Sequence, residues 1–199
     1  NLPNRLYLEE KFPEILDRAN LPEDISCNRA TGEPCLPILC FDLDRFNRIV
    51  KTLGHTDADL LIKAAVKRLQ DCLNRQDFIF RLGTKEFAIV PISIQQKQQT
   101  IKIAQKILKA FSKPLVLEDG SEVLMTASIG IALYPYDGKE IGQLLLCANK
   151  AVNQARKRGG NLYEFFRTVL NFEFCNHLAL ESSLSYALER EQLQVYYQP

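Results

Sequence analysis

Apolar residues recur along this chain at two spacings, one helical and one of strand type. Helical spacing predicts four amphipathic helices. The first runs from Asn4 to Ala19 with Leu6, Leu8, Phe12, Ile15 and Leu16 apolar, and Pro13 is expected to kink or interrupt it. The second, from Asp57 to Leu73, carries Leu61, Ala65, Leu69 and Cys72, and the third, from Gln95 to Phe111, carries Ile101, Ala104, Leu108 and Phe111. The fourth, from Glu140 to Arg156, presents Ile141, Leu144, Leu145, Ala148, Val152 and Ala155, and Gly159-Gly160 ends it. Strand-type runs fall at 36–42, on both arms of a hairpin over 78–91, and from Thr126 to Leu133. Leu115-Val116-Leu117 and Val123-Leu124-Met125 flank Asp119-Gly120 as a second hairpin, and residues 20–35 read as loop.

Strands and helices therefore alternate, without a Gly-rich phosphate loop and with hairpins breaking the parallel pattern. The predicted class is α/β, a mixed sheet with helices on both faces. From Arg167 to Glu191 the character changes to a mostly polar helical stretch with Leu180, Leu184, Ala187 and Leu188 as its stripe, which reads as a connector.

Composition narrows the function classes. A chain of 199 residues with 46% hydrophobic content can bury one sizeable core, so a single globular domain with some extra is expected. The formal net charge of +1 leaves no electrostatic footprint for nucleic acid, although a small anionic ligand stays open. No run approaches the roughly 20 apolar residues of a membrane span, and no signal-peptide pattern opens the chain, so this piece is expected to be soluble. Cys27, Cys35, Cys40, Cys72, Cys147 and Cys175 contain no C-x-x-C pair and read as reduced thiols, with Cys40, Cys72 and Cys147 in apolar elements. With two histidines far apart, a zinc site has no ordinary ligand set.

Two segments carry candidate chemistry. Ile38-Leu39-Cys40-Phe41-Asp42-Leu43-Asp44 is a buried-type strand ending in two acids, a way to present carboxylates at a sheet edge. Arg81-Leu82-Gly83-Thr84-Lys85-Glu86-Phe87 reads as a hairpin tip with a tight Gly-Thr turn that exposes and aims the charged pair Lys85-Glu86.

Together with Leu2-Pro3-Asn4-Arg5, Leu53-Gly54-His55, Thr126 to Ala132, and Ala155-Arg156 through Asn161, these segments stand in the order of a GGDEF domain. The chain resembles that family, the diguanylate cyclases that condense two GTP into cyclic di-GMP. The resemblance implies a palm-like β-α-β-β-α-β core related to nucleotidyl cyclases, over residues 1–166. It also implies a divalent metal held by Asp42, the Leu43 carbonyl and an acid at the position where this chain has Lys85. Lys85 either pairs with Asp42 or Asp44 and fills the metal position, or points into water.

The family's guanine-reading Asn and Asp fall at Val50 and Asp59. Val50 cannot hydrogen-bond a base, and Asp59 is equally accounted for by a capping box over Thr56-Asp57-Ala58-Asp59. Phosphates are expected against the amides of Arg45-Phe46-Asn47 and against cations that map to Arg156 and Gly160. Lys157 and Arg158 are candidate substitutes, or simple helix C-terminal charge. The product-inhibition Arg-x-x-Asp reads Asn74-Arg75-Gln76-Asp77, with the Arg one residue out of register, so tight cyclic di-GMP binding is not expected there and Asp77 reads as a turn residue.

Residues 187–199 resemble the opening of an EAL domain, the cyclic di-GMP phosphodiesterase family. This implies a piece of a longer GGDEF-EAL protein, with 167–191 as connector and 192–199 as the first EAL strand. The expected function is a regulatory or dimerising domain in bacterial cyclic di-GMP signalling, without cyclase activity, cytoplasmic, and controlling an attached EAL phosphodiesterase. No cofactor is required on this reading, and Mg and GTP are candidate ligands. An EAL domain and a second copy of the chain are the candidate partners. The alternatives are a working cyclase in which Glu86 serves as substitute metal ligand, and a structural coupling domain that binds nothing.

Overall fold

The computed structural model describes residues 2–21, 34–53, 55–117 and 120–166. The predicted connector and EAL-like strand, most of the loop at 20–35, Cys27 and Cys175 lie outside the described residues. A five-stranded sheet has the order β2-β3-β1-β6-β7, built from β1 (Leu36–Leu43), β2 (Phe78–Arg81), β3 (Glu86–Val90), β6 (Ala127–Tyr134) and β7 (Tyr163–Phe165). All pairings are antiparallel except β6 with β7. The small hairpin pairs β4 (Leu115–Val116) with β5 (Glu122–Val123), and Gly120 at its turn adopts φ +83°.

β1 is central and buried along its whole length, which is why its sequence runs apolar without alternating. Its odd and even residues feed two separate cores. Leu39, Phe41 and Leu43 pack with α3 (His55–Cys72) and α4 (Lys97–Phe111) on one face. Ile38 and Cys40 pack with α1 (Arg5–Ala19) and α5 (Ile141–Lys157) on the other. The predicted mixed sheet with helices on both faces is the observed architecture.

Several local expectations need correction. α1 is unbroken at Pro13, which lies on the exposed side, where water can take up the carbonyl bond that proline cannot donate to. Asn4 caps this helix by accepting from the Tyr7 amide at 3.0 Å. On α4 the buried stripe is Thr100, Ile103, Ala104, Ile107 and Phe111, while Ile101 and Leu108 sit half-buried beside it. α2 (Phe46–Leu53) is an element beyond the four predicted helices, although Phe46, Ile49, Val50 and Leu53 carry its helical spacing.

The first hairpin is wider than a Gly-Thr turn. Its last pair is Arg81 with Phe87, and the Glu86 carbonyl accepts from both the Leu82 and Gly83 amides at 2.9 and 3.2 Å. That closure leaves the Lys85 carbonyl free to accept from Leu43 N of β1 at 3.3 Å. Lys85 is thereby drawn back over the end of the central strand.

Candidate functional site

The two acids at the end of β1 sit at the centre of the sheet rather than on an edge, and each has a different environment. Asp42 is buried to 3% exposure. Lys85 Nζ lies 2.9 Å from its Oδ1 and 3.2 Å from its Oδ2, and donates to the latter. Oδ1, though closer, lies outside hydrogen-bonding geometry and is held by charge alone. Arg156, reaching from the last turn of α5, donates Nη1 to Asp42 Oδ2 at 2.9 Å. One carboxylate is thus flanked by two cations from separate elements. The Lys85 side chain is only 16% exposed, so the expected exposed pair at the hairpin tip is divided: Glu86 faces solvent and Lys85 does not.

Asp44 is not a partner of Lys85. Its carboxylate accepts from Thr126 Oγ1 at 2.8 Å, Ser128 Oγ at 2.7 Å and the Asn161 amide at 3.0 Å. It ties the ends of β1 and β6 to the turn after α5. Gly160 in that turn has φ +75°, and a Cβ there would stand 2.8 Å from Asp44 Oδ2. The backbone angle disfavours any larger residue, and a Cβ would press on the Asp44 carboxylate, so a side chain at this position requires Asp44 or the turn to shift.

Beyond Asp42 the chain enters α2 through Arg45, which takes the left-handed φ of +55°. Its carbonyl accepts from the amides of Arg48 and Ile49, leaving those of Phe46 and Asn47 at the positive end of the helix. A cavity of about 460 Å³ opens there, lined by Arg45, Phe46, Asn47, Arg48, Lys85 and Arg156. A smaller one of about 120 Å³ includes Asp42, Glu86 and Arg156 in its wall. The expected phosphate residues Phe46, Asn47 and Arg156 are therefore brought together, and Lys85 joins them.

The remaining candidates are dispersed or engaged elsewhere. Arg158 pairs with the buried Glu164 of β7, which takes it out of the substitute-cation role, and Lys157 is exposed. Val50 packs half-buried against the α3–α4 core. Asp59 is exposed on α3, and the side chains of Thr56 and Asp57 in the expected capping box lie outside the described residues. Asp77 is a turn residue, accepting from the Asn74 amide at 2.9 Å.

A divalent cation needs converging carboxylates with lone pairs to spare. Here Asp42 already faces two cations and Asp44 accepts three hydrogen bonds, so the side chains as arranged do not fit one. Among the described residues no cluster of three or more acidic, histidine or cysteine side chains offers another place.

The buried thiols behave as core residues. Burial pushes Cys40 up to about 12, with the Glu86 carboxylate adding to it. Burial together with Asp137 pushes Cys35, which the pattern had not placed in the core, up to about 11.

A palm-like sheet whose central strand ends in acids beside a β-hairpin defines a nucleotidyl cyclase-like fold. The family model for "Diguanylate cyclase, GGDEF domain" matches residues 1–162, and the chain belongs to that family. It is 33% identical over its whole length to the cyclic di-GMP phosphodiesterase NbdA of Pseudomonas aeruginosa, covering 24% of that protein. It is 34% identical, again over its whole length, to the bifunctional diguanylate cyclase/cyclic di-GMP phosphodiesterase MucR of the same organism, covering 27% of it. The chain spans about a quarter of the length of these relatives. Among solved structures, the GGDEF domain of TpbB (YfiN) from P. aeruginosa superposes with a TM-score of 0.72 at 29% identity, over 85% of this chain and 95% of that one. The chain is a GGDEF domain of cyclic di-GMP signalling. Among the described residues, no helix is long and apolar enough to cross a membrane.

Proposed function

We propose that this GGDEF domain does not turn over GTP and instead acts as a regulatory module for an attached EAL phosphodiesterase. The observation that carries the reading is the pair of cations, Lys85 and Arg156, on Asp42. Joining a 3′-hydroxyl to an α-phosphate calls for divalent metal to polarise the phosphate and activate the hydroxyl. An ammonium in place of a carboxylate changes the local charge by about two units, and each unit at 4 Å is worth about 4 kcal/mol at an effective dielectric of 20. A protonated lysine also has no lone pair to offer a metal. Both effects oppose metal binding where cyclase chemistry needs it.

Phosphate-binding features persist beside this altered position, in the α2 amides and the surrounding guanidinium groups. GTP held there is sensed rather than consumed. The EAL partner is supported by the resemblance of residues 187–199 and by the phosphodiesterase names of NbdA and MucR.

Incubation of the chain with GTP and magnesium, followed by chromatography, tests the first half of the reading. No cyclic di-GMP is expected. Accumulation that disappears in Asp42→Ala would establish a working cyclase instead. In the longer parent, addition of millimolar GTP is expected to change the phosphodiesterase rate. A rate indifferent to GTP would leave the domain as a structural coupler.

A further inference from the structure

The solvent face of α4 carries charge of one sign. Lys102, Lys106 and Lys109 recur along it at three- and four-residue spacing, Lys113 follows just past its end, and all four are exposed. The opposite face holds the buried stripe from Thr100 to Phe111, and no acid occurs anywhere in Lys97–Phe111. Lys106, Lys109 and Lys113 border one groove of about 370 Å³ with Arg68, Asp71 and Cys72 of α3, and Asp71 is the one carboxylate in its wall. Two of these cations have a structural role: Arg68 donates to the carbonyls of Ala110, Lys113 and Pro114, and Lys106 to that of Cys72. Lys109 lies in the last turn of α4, where the helix dipole favours a cation. Neither account reaches Lys102, in the middle of the helix. Among the described residues, no carboxylate forms an ion pair with Lys102, Lys109 or Lys113.

We propose that this face of α4 docks the domain on an anionic lipid surface. Protein partners are anchored by apolar and aromatic residues, and none of the large exposed hydrophobic residues, Leu6, Tyr7, Val116, Leu124 and Leu146, lies on α4. A nucleic-acid partner calls for arginine forks or aromatic stacking, whereas Arg68 is committed to carbonyls and Phe111 is buried. What the face offers is ammonium groups on flexible stems, which read density of negative charge rather than shape. At 1.5 Å rise per residue Lys102 and Lys109 stand about 10 Å apart along the axis, about one Debye length at 0.1 M salt, so they act together on a continuously charged surface. The net charge of the whole chain is only +1, so attraction to such a surface depends on this face being turned toward it. The proposal is independent of whether GTP is bound or turned over.

Co-sedimentation of the chain with vesicles of phosphatidylcholine, alone or with about one-third phosphatidylserine, tests this at about 0.05 M and about 0.5 M salt. The chain is expected to pellet with the phosphatidylserine vesicles at the lower salt, to be released at the higher, and to ignore phosphatidylcholine alone. Equal binding to both vesicle types, binding that survives the higher salt, or no binding at all would each overturn the proposal. Retention on a polyglutamate peptide without vesicle binding would assign the face to an acidic polypeptide and likewise overturn it.

Paired variants locate the surface. Lys102→Gln with Lys109→Gln keeps good helix formers and spares the Lys106 and Arg68 contacts, and it is expected to weaken vesicle binding by at least about tenfold, from about fivefold per lysine. Lys150→Gln with Lys157→Gln removes the same charge from exposed positions of α5, across the sheet, and is expected to change binding by less than about twofold. Equal losses in the two pairs would mean that overall charge alone drives binding, and a larger loss in the α5 pair would put the surface on the other side of the sheet. Either result would refute the assignment to α4.

Discussion

Asp42 shows how one carboxylate can become dependent on its neighbours. Buried at the end of the central strand, it is stabilised only while Lys85 and Arg156 remain on it. The cost of breaking the cluster should depend on which member is removed. Lys85→Met leaves Arg156 in place and is expected to cost about 1 kcal/mol, whereas Asp42→Asn strands the largely buried Lys85 ammonium and should cost about 1–3 kcal/mol. Urea unfolding of both single variants and the double variant should give a coupling of at least about 0.5 kcal/mol; independent, additive effects would mean that the ion pair contributes nothing. The Lys85–Asp42 contact was one of two readings open in the sequence. The Arg156 contact was not legible, because it joins residues 114 positions apart and depends on how α5 lies against the sheet. Asp44 was misplaced for a related reason. Its donors, Thr126, Ser128 and the Asn161 amide, look like ordinary strand and turn residues until the fold brings them together. Gly160→Ala strains a backbone held at φ +75° and presses on Asp44, so it is expected to cost about 2 kcal/mol in the parent and less in an Asp44→Ala background. Equal losses in thermal or urea unfolding would show that the Asp44 contact is immaterial.

At the level of elements, existence was easier to read than orientation. α5 was fully legible because its predicted positions Ile141, Leu144, Leu145, Ala148, Val152 and Ala155 are all buried. α4 was not, because Ile101 and Leu108 extend its apolar face on one side and Ile103 and Ile107 on the other, and only the tertiary partner chooses between them. α2 lies hidden between two motifs, and the hairpin loop closes on the Glu86 carbonyl, which leaves that of Lys85 to β1, a tertiary contact that the turn residues alone do not show. The contact of α5 with β6 rests on Gly130, where a Cβ would lie 2.0 Å from the Ala148 carbonyl oxygen and 2.5 Å from the Val152 nitrogen. Backbone on the opposing side cannot yield as a flexible side chain can. Gly130→Ala is therefore expected to cost more than about 4 kcal/mol, read as loss of the cooperative unfolding transition. Gly142→Ala, in the first turn of the same helix with open space around the added carbon, should stabilise by about 0.5–1 kcal/mol. A tolerated Gly130→Ala would mean that the helix can lift from the sheet.

For the whole molecule, the two cores on either side of β1 make its thiols a probe of folding. The apolar runs were enough to place Cys40 inside, and the structure adds the reason that its acidity is suppressed. In the unfolded chain a thiol loses its proton near the ordinary value of 9.0, whereas folded Cys40 and Cys35 keep theirs to about 12 and about 11. Between those limits the folded state binds more protons, so stability present below pH 9 is lost as pH rises, by up to about 1.4 kcal/mol per thiol per pH unit. Lysines and tyrosines titrate over the same range, so the alkaline loss of the parent chain alone would not identify the cause. Cys40→Ala separates them, because it removes one thiol and leaves the other groups in place. The variant is expected to be less stable than the parent at about pH 8, through lost packing, with the gap narrowing by about 1 kcal/mol at about pH 10. The check is urea unfolding of both proteins at the two pH values. An unchanged gap would mean that Cys40 ionises in the folded state as readily as in the unfolded one, which a residue sealed between α5 and the central strand cannot do.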